Sequence, residues 1–131
     1  MKKLISTILL GVLLLTGCTE APQKTKANVT PEYLQRTAEW CNTIVQQKRE
    51  IFVNVQANSA GCKEALQHMV NIEKALPDIQ EADPELGEIC QAIYLSGDEF
   101  QRYLDGKGSD HWDKGVQYLN LADTKMQKYK K

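Results

Sequence analysis

The residues able to do chemistry in this 131-residue chain are four cysteines, two histidines and a run of acids. Cys41, Cys62 and Cys90 sit among apolar residues, and no two of them are spaced Cys-x-x-Cys. Without that spacing, thioredoxin-like exchange and a structural zinc site have little footing. Three readings stay open for these thiols: buried core cysteines, a structural disulfide that leaves one thiol over, or a reactive or metal-binding thiol. His68 follows Glu64 by one helical turn, an edge that could hold a metal but is more often a surface i, i+4 contact. His111 stands beside Asp110 and Asp113, and with Cys62 at the same end a Cys-His-Asp cluster is conceivable. Helix capping accounts for those aspartates more simply. Asp78, Glu81, Asp83, Glu85 and Glu88 form an acidic patch. Paired carboxylates do acid–base work only in a sheltered cleft, and a connection followed by a first helical turn is normally wet. GxSxG, a P-loop, HExxH, a dinucleotide glycine fingerprint and an EF-hand loop are all missing. The sequence therefore leads us to expect no catalytic residue, no metal site, no cofactor and no enzymatic activity.

The fourth cysteine, Cys18, belongs to a different chemistry. It closes the stretch MKKLISTILLGVLLLTGC, in which Lys2 and Lys3 precede an apolar run from residue 4 to residue 15. A basic start, a short apolar core and small residues before the end are the parts of a secretory leader. The run is short for a membrane span, which needs roughly 20 residues. Leu15-Thr16-Gly17-Cys18 resembles the lipobox of bacterial lipoproteins. That resemblance implies cleavage before Cys18, acylation of its thiol and new amino group, and an extracytoplasmic domain lipid-anchored to the bacterial cell membrane, or to the outer membrane if the cell has one. More than one acyl chain is needed for stable anchoring, at roughly 0.8 kcal/mol per buried CH₂. The expected organisation is a signal peptide over 1–17, a polar flexible tether over 18–29 and one helical domain over 30–131. Removing the leader takes away two lysines and no acid, which leaves 14 basic against 17 acidic side chains and a net charge of −3 with His neutral. That balance gives no case for a nucleic-acid partner.

Four amphipathic helices must position whatever the domain does. Thr30 caps the first, with Pro31 at its first position and Glu32 in its first turn. Its seam reads Leu34, Ala38, Cys41, Val45, Lys48, Phe52 and Val55, with Trp40, Ile44 and Ile51 widening the stripe and Lys48 snorkelling out. A break at 58–61, with Ser59 a candidate cap, opens a second helix that turns Cys62, Ala65, Leu66, Met69, Ile72 and Leu76 inward. Pro77 is expected to end it at Leu76, leaving an acidic connection over 78–83. Asp83-Pro84-Glu85 starts a third helix with the seam Leu86, Cys90, Ile93, Gly97, Phe100 and Leu104. Ser96-Gly97 weakens it locally, since Gly costs roughly 1 kcal/mol against Ala. After the stop at 105–108, Ser109 is expected to cap a fourth helix facing Trp112, Val116, Leu119, Ala122, Met126 and Tyr129 inward.

Short connections between four such helices predict an all-α, antiparallel up-down-up-down four-helix bundle. Pro31-Glu32 answers Pro84-Glu85 and the cysteine segments repeat at an offset of 49, so a duplicated helical hairpin is one way to build it. The second half also looks like small helical lipoproteins of Gram-positive bacteria, a likeness that implies a fold and a location but no chemistry. The leading functional expectation is a membrane-anchored protein-interaction module of the cell envelope, with an envelope protein as its partner. The alternative is a helical bundle that binds an apolar small molecule, haem or a metal.

Helix geometry discriminates among the cysteines. At about 1.5 Å per residue, Cys41 stands roughly 15 Å above the Pro31 end and Cys90 roughly 9 Å above the Pro84 end. A small offset between the two starts brings them level. Cys62 opens the descending second helix, on the order of 20 Å away and far beyond the ~7 Å Cα limit for a bridge. The expectation is a Cys41–Cys90 disulfide with Cys62 unpaired. It would close a loop of about 50 residues and stabilise the fold by roughly 4 kcal/mol on the chain-entropy model.

Overall fold

The computed structural model describes residues 29–130, and the described residues are helical with short turns and no strand. The leader, Cys18 and the tether up to residue 28 lie outside the described residues.

Helix α1 (Pro31–Gln46) starts as its sequence requires: Thr30 Oγ1 accepts the Tyr33 N–H at 3.0 Å and Pro31 occupies the first turn, where its missing N–H costs nothing. The axis then breaks at Gln47, whose φ of −100° and ψ of 15° separate α1 from α2 (Lys48–Ala57). Asn58 in the left-handed region ends α2, and the Ser59 N–H returns to the Asn54 carbonyl at 3.0 Å in a Schellman turn. Gly61, at φ 82°, precedes α3 (Cys62–Val70). Ser59 is therefore not the cap; a positive φ at the N-cap position selects glycine instead.

The second rod differs from its expected end. After α3 the chain tightens into a 3-10 segment (Asn71–Ala75) and resumes as α4 (Leu76–Ala82). Pro77 does not stop the helix, because the tightened turn lets it enter as a first-turn residue of α4. The stretch read as an acidic connection is helical up to Ala82, and Ile79 within it is fully buried. Asp83 alone makes the corner to α5 (Pro84–Leu104), its Oδ1 accepting the Leu86 N–H at 3.2 Å. So tight a corner needs Gly87, since a Cβ there would lie 2.7 Å from Gln80 Cα. A turn carrying Gly106 and Gly108 at positive φ leads to α6 (Asp110–Tyr129). Ser109 holds the N-cap position but its side chain makes no cap bond.

α5 and α6 are the most closely packed pair, α3 and α4 lie on α5, and α1 lies on α6 and α5. The first rod approaches the second only sparsely. The two halves thus differ in construction: two broken rods in the first, two continuous helices in the second. Small residues make the close approach. Ser96, fully buried, donates from Oγ to the Gly115 carbonyl at 2.7 Å across α5 and α6. A Cβ on Gly97 would meet Met69 Cβ at 3.0 Å and the Leu66 carbonyl oxygen at 3.2 Å. The Ser96-Gly97 pair is therefore a packing device inside an unbroken helix.

Candidate functional site

Cys41 comes from the middle of α1 and Cys90 from the second turn of α5, each with no exposed surface, and their sulfurs stand 3.6 Å apart. Both are free thiols in the structure, as is buried Cys62. Burial first, and the neighbouring Cys90 second, push the Cys41 thiol well above its ordinary range. Burial raises the Cys62 thiol to about 11. Neither Cys41 nor Cys62 is the low-pKa, accessible thiolate of a reactive cysteine. Cys62 opens α3 next to the turn after α2, and its N–H bonds the Ser59 carbonyl at 3.0 Å.

His111 finds a partner that local spacing did not reveal. Its Nδ1 lies 2.5 Å from Glu99 Oε1, and both side chains are less than a fifth exposed. Asp110 instead reaches Lys114 at 3.7 Å. Glu99 could have been found only by pairing the end of α5 with the start of α6. Beside the pair, Phe52, Phe100, Tyr103 and Trp112 form an aromatic cluster with ring centroids 5.3 to 6.1 Å apart, which ties α2 to α5 and α6. A carboxylate-oriented histidine is the base half of a hydrolytic triad. Among the described residues no hydroxyl or thiol is hydrogen-bonded to that ring. The half-buried His68 leaves Nδ1 without a partner among the described residues. Among the described residues no group of three or more His, Cys, Asp or Glu converges to hold a metal ion.

Part of the acidic patch is structural. Asp83 Oδ2 accepts the Tyr129 hydroxyl at 2.8 Å, so one carboxylate caps α5 and latches the end of α6. Glu88 pairs with Lys125 at 2.9 Å. Lys48 does not simply escape to solvent: its ammonium donates to Asn120 Oδ1 and Asp123 Oδ2, each at 2.8 Å, and pins the start of α2 to α6. Val53 and Leu121 are the large apolar side chains most exposed among the described residues. No described helix is long and apolar enough to cross a membrane. The chain matches no family model, no curated protein and no solved structure.

Proposed function

We propose that this chain is a bacterial lipoprotein, cut before Cys18, acylated there, and holding its domain outside the cytoplasm as a protein-interaction module of the cell envelope. The observation that carries this is the leader: Lys2-Lys3, an apolar run of membrane-inserting composition, and Leu15-Thr16-Gly17-Cys18 at its end. The domain behind it is an antiparallel up-down-up-down four-helix bundle. Cross-links at both ends of the α5–α6 pair support that topology, Glu99 with His111 at one end and Asp83 with Tyr129 at the other. Lys63 pairs with Asp105 and Gln101 with Gln67, which is consistent with α3 running against α5.

Two features favour surface recognition over a ligand held between helices. Interior positions on every rod are filled by large side chains, among them Tyr33, Ile44, Ile51, Met69, Ile93 and Phe100. The outer face is polar and charged, the surface of a module that docks by ion pairs and hydrogen bonds. Feeding cells a clickable fatty-acid analogue tests the anchor. Wild type takes up label and Cys18→Ser does not; equal label on both overturns the anchor. Mass spectrometry of the purified domain under native conditions tests the rest. A mass equal to the polypeptide alone supports the module, and a stoichiometric bound small molecule or metal replaces it with the ligand-binding reading.

A further inference from the structure

The thiol pair between α1 and α5 has no exposed surface. It joins two elements that are far apart in the chain, at residues 41 and 90, and sits where the first rod meets the rest of the core. Bringing the sulfurs from 3.6 Å to a bonding distance of about 2.05 Å asks for about 1.5 Å of approach. We propose that Cys41 and Cys90 form an intramolecular disulfide, made by thiol–disulfide exchange with a disulfide-bearing oxidant outside the cytoplasm before α1 docks on α5 and α6. The source of the oxidant rests on the export reading above; the pairing rests on the geometry alone.

The step balances in two exchanges. The thiolate of one cysteine attacks a sulfur of the oxidant's disulfide, breaks it, and releases one oxidant thiolate while a mixed disulfide forms. The thiolate of the second cysteine then attacks the chain's sulfur in that mixed disulfide and releases the other oxidant thiolate. Two electrons pass from the chain to the oxidant, and the two cysteine protons end on the oxidant's thiols. Burial dictates the order of events. Neither sulfur has exposed surface in the closed core, so an oxidant reaches them only while the first rod is away. Once the bond exists, the same burial screens it from reducing thiols. Cys62, at the far end of the first rod, remains the unpaired thiol.

The full chain carrying Cys18→Ser, which leaves three cysteines, provides the test. It is unfolded with reductant, refolded in reduced and oxidised glutathione, acid-quenched, denatured, alkylated and peptide-mapped. A cross-linked Cys41–Cys90 peptide with Cys62 alone alkylated supports the proposal. Oxidised glutathione added after reductive folding should form that bridge roughly a hundredfold or more slowly, because exchange then waits for local opening. A Cys62→Ala version should bridge to the same extent. Three alkylated cysteines in refolded helical protein, or any bridge through Cys62, overturns the pairing. Bridging in the refolding mixture together with three free thiols in protein taken directly from cells overturns the extracytoplasmic oxidant and upholds the pairing.

Discussion

Replacing Gly115 by alanine sets helix propensity against packing. Gly115 is buried inside α6, and an alanine in a helix interior is favoured over glycine by roughly 1 kcal/mol. The added Cβ, however, would lie 2.5 Å from both Cδ1 and Cε1 of Phe100 and 2.9 Å from its Cζ. Ordinary contact begins near 3.4 Å, so the ring must retreat by about 1 Å. It has nowhere easy to go, since Phe100 is fully buried, edge-on to Phe52 and tilted against Trp112, with centroids at 6.1 and 5.3 Å. Any parting of α5 from α6 also stretches the 2.7 Å bond from Ser96 to the Gly115 carbonyl. Overpacking of this kind costs about 1–3 kcal/mol against a propensity gain of roughly 1 kcal/mol, which leaves a net loss of up to about 2 kcal/mol. For a domain of this size, that lowers Tm by up to about 10 °C. Thermal unfolding followed by circular dichroism reads it directly. The decisive control repeats the change in a Phe100→Val background, which lacks all three clashing ring atoms. There Gly115→Ala should be neutral or stabilising by up to about 1 kcal/mol. A Gly115→Ala protein that melts above wild type, or an identical loss in both backgrounds, refutes the reasoning.

Two further outcomes follow from polar contacts. Tyr129→Phe removes the hydroxyl bonded to Asp83 and should cost about 1 kcal/mol at neutral pH. Burial, and then the Asp83 carboxylate, push the Tyr129 phenol up to about 12 from an unfolded value of 10.0. A raised phenol stabilises the fold below pH 10 and loses that contribution between pH 10 and about 12, so the gap between wild type and Tyr129→Phe should close over that window. A gap constant across it in urea midpoints contradicts the latch. Lys48→Met keeps the stem but removes the ammonium from Asn120 and Asp123, at a cost of about 1 kcal/mol. The Lys48 hydrogen bond is the main cause holding the Asp123 carboxyl below its ordinary 3.8. A lowered carboxyl stabilises above the ordinary value and loses that contribution as pH falls below it, so the Lys48→Met deficit should shrink in acid. A deficit unchanged by acid, again in urea midpoints, contradicts the assignment.

Periodicity served best where burial was continuous and apolar. The seams of α3, α5 and α6 were legible because Ala65, Leu66, Met69, Leu86, Ile93, Leu119, Ala122 and Met126 recur at helical spacing and nothing competes with that signal. It served less well on α1, where Tyr33 and Thr37 are buried while Leu34 and Ala38 are only half covered. A threonine looks like a surface residue until its hydroxyl is seen donating to the Tyr33 carbonyl at 2.8 Å, which removes the cost of hiding it. Pro77 misled because a proline at the start of a helical segment and one in its interior look alike without the 3-10 turn before it. The Glu99–His111 pair was invisible for a different reason: it depends on how two helices are set against each other, which no local window encodes. Gly115 and Gly87 belong to the same class, since only the neighbour's position shows why a side chain is refused.

The uneven packing of the two halves has a consequence for synthesis. Residues 31–82 emerge first, carrying apolar seams whose closest docking surfaces are α5 and α6. Translation of the 46 residues from Pro84 to Tyr129 takes roughly 2–9 s at ~5–20 residues per second. For those seconds the nascent first half has only the sparse contact between its own two rods to close on. A polypeptide whose first half waits for α5 and α6 stays slack until both have been made.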